Sequence, residues 1–253
     1  MRKFGLIGLP LAQSFSKKYF TAKFENEKID AVYDLLELQD ISELSALLMN
    51  DDLCGLNVTI PYKEKVIPFL DELDETAADI GAVNVIKFIR DKDTLRLKGY
   101  NSDVIGFETS LCPFLKSYHK KALILGTGGT SKAINYVLRK HGIEATFVSR
   151  TPKEGMFTYG DLSNQVLIEN LLIINATPVG TFPKSETYPD IPYQFLTDAH
   201  VLFDVVYNPS ESIFLKKGRE KGALGLNGES MLIGQAEASW EIWNSRELVV
   251  GSW

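Results

Sequence analysis

The chain is 253 residues long, 45% hydrophobic and 24% charged, enough apolar material for one large or two medium domains and too much for a disordered chain. Its 27 basic and 33 acidic side chains give a net charge of −6, which argues against nucleic acid as the main partner. No apolar run is long enough to span a bilayer.

In chain order, residues 3–8 read as a strand ending at Gly8-Leu9-Pro10. This start imitates a signal peptide, but its apolar stretch of about five residues is below the roughly 7–15 of an h-region, and no small-residue cleavage site follows. A helix is expected after Ser14 or Ser16, running to about Lys28. Tyr33–Leu38 reads as a second strand and Ile41–Met49 as a helix behind an Asp40 cap. Residues 55–60 form a third strand within the segment Gly-Leu-Asn-Val-Thr-Ile-Pro-Tyr-Lys-Glu at 55–64. Asn57 and Thr59 stand two apart there and face one side. Pro61, lacking an N–H, stops the strand, and Lys63 follows. An amide, a hydroxyl and an ammonium thus gather at one strand end, suiting a polyhydroxylated or carbonyl-bearing molecule. Glu64–Leu70 and Asp74–Ile80 read as helices, and Val83–Ile89 with Thr94–Gly99 as a hairpin around Asp91-Lys92-Asp93. The alternation favours an α/β sheet with crossovers.

A second pattern begins near residue 104. Val104–Leu115 reads as a helix and Lys121–Leu125 as a strand buried in a parallel sheet. Gly126-Thr127-Gly128-Gly129 is a turn, Ser131–His141 a helix, and Gly142 its C′ residue. Ala145–Ser149, Leu171–Asn175 and Val201–Val205 are further strands. The segment from Gly228 carries Leu232, Ala236, Trp240 and Trp243 at helical spacing. The joint near residues 100–106 is short, so two domains with a cleft between them are expected.

Strand, glycine turn and helix together suit a dinucleotide pyrophosphate. Gly126 permits the tight turn, Gly128 lets the backbone approach phosphate, and the helix directs its free N–H groups at the anion. An NAD site places a carboxylate about 20 residues on, for the ribose 2′-OH. Here the sequence reads Val148-Ser149-Arg150-Thr151, with Lys153 nearby. A guanidinium suits a 2′-phosphate, so NADP is expected over NAD. The loops Asn175-Ala176-Thr177-Pro178 and Asp204-Val205-Val206-Tyr207 follow strands of the same sheet and are placed to meet the cofactor.

Polar residues also gather before the turn. Ser14 and Ser16 follow the first strand, where an N-cap role serves equally well. Asn84 interrupts an apolar run, as a buried amide satisfied by backbone also would. Asp103 stands where it could cap the next helix. Their joint presence with Asn57, Thr59 and Lys63, ahead of a cofactor turn, favours a site.

Over nearly its whole length the chain resembles the shikimate dehydrogenases, through Gly8–Ser16, Asn57–Glu64, Gly81–Val85, Asn101–Asp103, Gly126–Ala133, Ser149–Thr151, Asn175–Thr177 and Gly228–Gln235. The resemblance implies NADPH-dependent reduction of 3-dehydroshikimate to shikimate, a step toward chorismate and the aromatic amino acids. It implies a discontinuous α/β substrate domain (1–103 and 228–253) and a Rossmann-like NADP domain (104–227). It makes Lys63 and Asp103 the catalytic pair. Ser14, Ser16, Asn57 or Thr59, Asn84, Asp103 and Gln235 would hold substrate, with Tyr207 near its carboxylate. Gly126, Thr127, Gly128, Gly129, Ser149, Arg150, Thr151, Asn175, Ala176, Thr177 and Val205 would hold NADP, with Gly228 and Met231 nearer the nicotinamide end. The chain departs from the family at Lys17-Lys18-Tyr19-Phe20, where many members have Ser-Pro and then His-Asn, and at Ser149, where Asn is usual. Two alternatives stand beside this reading: an NAD-dependent quinate/shikimate dehydrogenase, which should carry an acid near position 149, and a non-catalytic NADP-binding regulator.

His119, His141 and His200 lie at strand or helix ends and are not expected in catalysis. Cys54 and Cys112 fit neither C-x-x-C nor metal spacing. No metal is expected, and free thiols in a reducing cytoplasm are. Monomer and homodimer are equally compatible with the sequence.

Overall fold

A computed structural model describes residues 1–11, 14–49, 52–91 and 94–245. It divides into two compact units, Met1–Ser102 with Gln235–Trp253, and Asp103–Gly234.

The first unit is built on a six-stranded sheet. Its strands are β1 (Arg2–Gly8), β2 (Ala31–Glu37), β3 (Leu53–Val58), β4 (Glu72–Leu73), β5 (Val85–Asp91) and β6 (Thr94–Tyr100), in the order β2-β1-β3-β5-β6-β4. β1 pairs in parallel with β2 and β3, and β5 runs antiparallel to both β3 and β6. The expected hairpin is therefore present, although Lys92 and Asp93 at its tip lie outside the described residues. Its helices are α1 (Phe15–Asn26), α2 (Leu44–Leu47) and α3 (Glu75–Ile80).

Side-chain alternation assigns the two sheet faces. Ile7, Leu56, Val58 and Ile86 pack with Leu38, Leu44, Tyr62 and Val66. Phe4, Leu6 and Val85 pack on the other face with Phe20, Phe24, Ala236 and Trp243. Asn57, between Leu56 and Val58, belongs to that second face.

The second unit holds β7 (Lys121–Leu125), β8 (Glu144–Ser149), β9 (Phe157–Thr158), β10 (Leu172–Asn175), β11 (Val201–Asp204) and β12 (Leu224–Leu226). All pairings are parallel, and the order is β12-β11-β10-β7-β8-β9. Counted from β7, this is the doubly wound order that reverses between β7 and β10. α4 (Asp103–Leu111) and α5 (Gly129–Lys140) pack on each other, and α6 (Asn164–Glu169) and α7 (Ile213–Arg219) follow, while α8 (Glu229–Asn244) passes into the first unit at Gln235. Leu123, Leu125, Ile173 and Leu202 share a core with Leu167 of α6 and with Phe214 and Leu215 of α7.

Several elements differ from expectation. Residues 64–70 form turns and one 3₁₀ turn at Ile67–Phe69, because Pro68 falls where a helix would have to continue. The expected helix 41–49 tightens into a 3₁₀ turn at Ile41–Glu43, closed by a capping box on Asp40, before the short α2. α4 ends at Leu111 and passes into a 3₁₀ turn at Cys112–Phe114, where Pro113 stands. β3 ends at Val58, so Thr59 lies just outside it, although its N–H still bonds the Ile7 carbonyl at 2.9 Å. β9 and β12, of two and three residues, are too short to show periodicity.

Candidate active site

In the first unit a buried polar network links three of the expected substrate residues, Asn57, Asn84 and Gln235. The Tyr33 phenol donates to Asn57 Oδ1 at 2.8 Å. Asn57 Nδ2 donates to Ser239 Oγ at 2.9 Å and to the Asn84 carbonyl at 3.2 Å. Ser239 donates to the Gln235 carbonyl at 2.7 Å and lies 3.1 Å from Ser102 Oγ. Asn84 Nδ2 donates to Ser102 Oγ at 3.0 Å, and the Ser102 N–H donates to Asn84 Oδ1 at 2.7 Å.

Asn57 is only 4% exposed, and its oxygen and amide nitrogen are both engaged by protein groups. Asn57 and Thr59, expected to face one side of the strand end, have different surroundings. Asn57 is buried within β3, while Thr59 is half-buried beside Gly8, where an added Cβ would meet its methyl at 2.4 Å. Ser14 accepts from the Lys17 N–H at 3.3 Å and caps α1, as its plain structural reading foresaw. Tyr33, Ser102 and Ser239 were not singled out from sequence. Ser239 stands one helical turn after Gln235 on the same helix face, which is the signal that could have found it.

Lys63 lies in the loop after β3. Tyr62 anchors that loop by packing into the core and donating to the Leu38 carbonyl at 2.6 Å. The Lys63 carbonyl accepts from the Val83 N–H at 2.7 Å, and the Asn84 carbonyl accepts from the Val58 N–H at 2.8 Å. The backbones of Lys63 and Asn84 are thus tied to one edge of the sheet. Lys63 itself is half-buried.

In the second unit Gly126 has φ +105°, and a Cβ there would lie 3.0 Å from the Thr177 methyl and 3.3 Å from the Ala176 carbonyl. The loops after β7 and β10 therefore touch at the point where strand order reverses. The Ala176 N–H donates to the Leu125 carbonyl at 3.0 Å. Gly128 is the N-cap of α5, supplies no side-chain cap, and has open space where a Cβ would stand. Ser131, in the first turn of α5, has a fully buried hydroxyl with no hydrogen-bond partner among the described residues. An uncapped helix start, an open glycine and an orphan hydroxyl fit a phosphate-bearing cofactor. Thr127 and Gly129 complete this turn.

Asp103, 5% exposed, opens α4, and its Oδ2 accepts from Thr130 Oγ1 at 3.2 Å. Its carboxylate is thereby fixed beside the glycine turn. Ser149 Oγ accepts from the Thr151 N–H at 3.2 Å, shaping the loop that carries the exposed Arg150.

A second network secures the loops after β10 and β11. Asn175 Nδ2 donates to Asp204 Oδ1 at 2.9 Å, while Asn175 Oδ1 accepts from Thr177 N and Oγ1 at 3.1 and 2.6 Å. Asp204 also accepts from the Val206 N–H and from Ser212. Burial pushes the Asp204 carboxyl up to about 6, against these donors. Gly228 lies where a Cβ would come within 2.2 Å of the Val205 carbonyl oxygen, and its N–H donates to the Val206 carbonyl at 3.2 Å. Met231 is buried and Tyr207 half-buried; burial raises the Tyr207 phenol above its usual range. Gln235 is buried on α8.

His119 and His200 accept backbone N–H bonds at Nδ1, from Lys116 and Thr197, and burial lowers both below the usual imidazole range. They serve as structural ties.

The Shikimate dehydrogenase substrate binding domain family matches residues 6–86. A shikimate dehydrogenase (NADP(+)) of Methanosphaera stadtmanae is 34% identical, the alignment covering 96% of this chain and 91% of that protein. The chain belongs to the shikimate dehydrogenase family. Among solved structures, the shikimate 5-dehydrogenase of Thermus thermophilus in complex with NADP(H) and shikimate is 27% identical with a TM-score of 0.83, covering 96% of this chain and 94% of that one. A quinate dehydrogenase of Corynebacterium glutamicum in complex with NAD is 28% identical with a TM-score of 0.82, covering 96% and 93%. Among the described residues no helix is long and apolar enough to cross a membrane.

Proposed function

We propose that this chain catalyses the reversible, NADPH-dependent reduction of 3-dehydroshikimate to shikimate. In this reading the unit of β1–β6 takes the substrate and the unit of β7–β12 takes the cofactor. The observation that carries the reading is the bond from Thr130 to Asp103. It holds a buried carboxylate, of a residue adjoining the substrate-side network, against the first turn of an uncapped phosphate-binding helix.

Gly126, Thr127, Gly128, Gly129 and the start of α5 would cradle the pyrophosphate. Arg150, with Ser149 and Thr151, would take the 2′-phosphate. Asn175–Thr177, Val205, Gly228 and Met231 would line the nicotinamide end. Bound NADPH supplies the hydride. The Lys63 ammonium faces the developing alkoxide, stabilises its charge and donates the proton to that oxygen. Asp103 accepts a hydrogen bond from a substrate hydroxyl. Ser14 and Ser16 suit the substrate carboxylate, Thr59, Asn84 and Gln235 suit the ring hydroxyls, and Tyr207 stands near the carboxylate. Asn57 holds this set in place from behind. Neutral donors built for each hydroxyl reject analogues lacking it, because their own polar groups would be left unpaired. Two free thiols, Cys54 and Cys112, accord with a cytoplasmic enzyme, and either a monomer or a homodimer can carry this chemistry.

The likeness to an NAD-bound quinate dehydrogenase supports a second reading, oxidation of quinate with NAD. The guanidinium at position 150, without an acid at 149, favours the first. Following reduced-cofactor absorbance with shikimate or quinate, and NADP or NAD, tests both. The expected result is turnover with shikimate and NADP. Arg150→Ala should raise KM for NADP and leave that for NAD little changed. Preference for quinate and NAD, or an unaltered cofactor preference in R150A, would overturn the assignment.

A further inference from the structure

At the far end of α4 and α5 from the glycine turn, three metal-ligating side chains converge. Cys112 Sγ lies 3.3 Å from His141 Nε2, and His141 Nε2 lies 2.8 Å from Glu108 Oε1. One ligand atom from each residue falls within 4.8 Å of the other two. Sequence spacing hides this group. Glu108 and Cys112 stand one helical turn apart, but His141 comes from the next helix and joins them only because α4 and α5 pack side by side in the same direction. We propose that Glu108, Cys112 and His141 form a binding site for a thiophilic divalent cation, with Zn²⁺ the ion that its donors fit.

The donor set is one soft thiolate, one imidazole and one carboxylate, the mixture that selects zinc over the oxygen-seeking Mg²⁺ and Ca²⁺. Bonds of about 2.0–2.3 Å in a tetrahedron leave ligand atoms roughly 3.3–3.7 Å apart, so the observed spacing closes on an ion with small side-chain rotations. Water would complete the shell, since Glu108 and Cys112 are half-buried and His141 is exposed. The position already favours positive charge. His141 is the C-cap of α5 and Cys112 directly follows α4, so the negative ends of two helix dipoles meet there. The Lys140 ammonium sits 2.9 Å from Glu108. Its bond to Glu108 holds that carboxyl below the usual range, with His141 adding to this and burial opposing it. Lys140 is 55% exposed in this pair, and an exposed ion pair is weak enough for an incoming metal to displace.

Along α4 Glu108 lies about 7.5 Å and Cys112 about 13 Å of helix from Asp103. The site is therefore separate from the proposed catalytic groups, and nothing in it depends on the activity assigned above.

The test is titration of the chelator-treated full-length protein with Co²⁺ as a spectroscopic substitute for Zn²⁺. One equivalent should produce a thiolate-to-cobalt charge-transfer band together with visible bands of tetrahedral intensity. Cys112→Ser should abolish the charge-transfer band, Cys54→Ser should retain it, and Cys112→Ser should keep the wild-type turnover and melting curve. In Zn²⁺ competition against a chromophoric chelator, His141→Ala should lose more than the roughly 10–100-fold that removal of a mere supporting contact costs. Absence of the band in the wild-type protein, its survival in C112S, or unchanged Zn²⁺ affinity in H141A would overturn the site.

Discussion

Asn57 and Lys63 belong to one segment and meet opposite requirements. Asn57 lies inside strand β3, where a polar side chain survives only if every polar atom is paired, and Tyr33, Ser239 and the Asn84 carbonyl pair it. Asn57→Ala would leave the Tyr33 phenol and the Asn84 carbonyl short of a partner. We expect it to lower stability by about 1–3 kcal/mol, read as a fall in the urea midpoint at constant m-value. Lys63 lies beyond the strand, in a loop held by the buried Tyr62, and its proposed role is chemical. Lys63→Ala is expected to lower kcat by roughly 10²–10⁴ with a smaller change in KM and an unaltered urea midpoint. Near-normal turnover would remove the general acid from the mechanism.

Among elements, the loops after β10 and β11 carry the most consequential arrangement. Asp204 ties them together through Asn175 and Val206 and is itself completely buried. Its carboxyl is raised from 3.8 to about 6, so the folded state binds that proton more tightly than the unfolded chain does. By linkage, this group's contribution to stability is greatest below about pH 4, declines as pH rises toward 6, and is flat above that. Asp204→Asn should remove this slope, measured as urea stability between pH 4 and 7 against the wild-type protein. An identical pH profile in the variant would show that Asp204 titrates normally. Arg150 belongs to this scale too, since its proposed hold on a 2′-phosphate depends on the short Ser149–Thr151 turn that ends β8.

Across the whole chain, the first unit is completed by residues far from its beginning. Ala236 and Trp243 of α8 pack with Phe4, Phe20 and Phe24. Trp243 lies over Gly55, where an added Cβ would meet the indole at 2.4 Å, and its Nε1 donates to the Ile86 carbonyl at 3.1 Å. Trp243→Ala should destabilise the protein by about 3–5 kcal/mol, enough to lower the melting temperature by several degrees. Gly55→Ala should act on the same contact without removing the indole. A melting temperature unchanged in W243A would show that α8 contributes little to that core.

By itself the sequence determined the elements whose signal is local. The apolar strand Lys121–Leu125, the glycine turn after it, the hairpin of β5 and β6 and the start of α8 follow from hydrophobic period and from Gly and Pro, which act on neighbouring dihedral angles. Lys63, Asp103 and Arg150 were legible as candidates because short motifs carry them. The tertiary structure alone decided which polar residues pair. Ser239 reaches Asn57, Thr130 reaches Asp103, Asp204 reaches Asn175, and His141 reaches Cys112, each across a stretch of chain with no periodicity to announce it. It also decided that Asn57 turns inward while Thr59 lies outside the strand, and that residues 64–70 do not form the expected helix. Local dihedral preference is written in adjacent residues, whereas hydrogen-bond partners in a buried network are set by which faces the sheets and helices bury together.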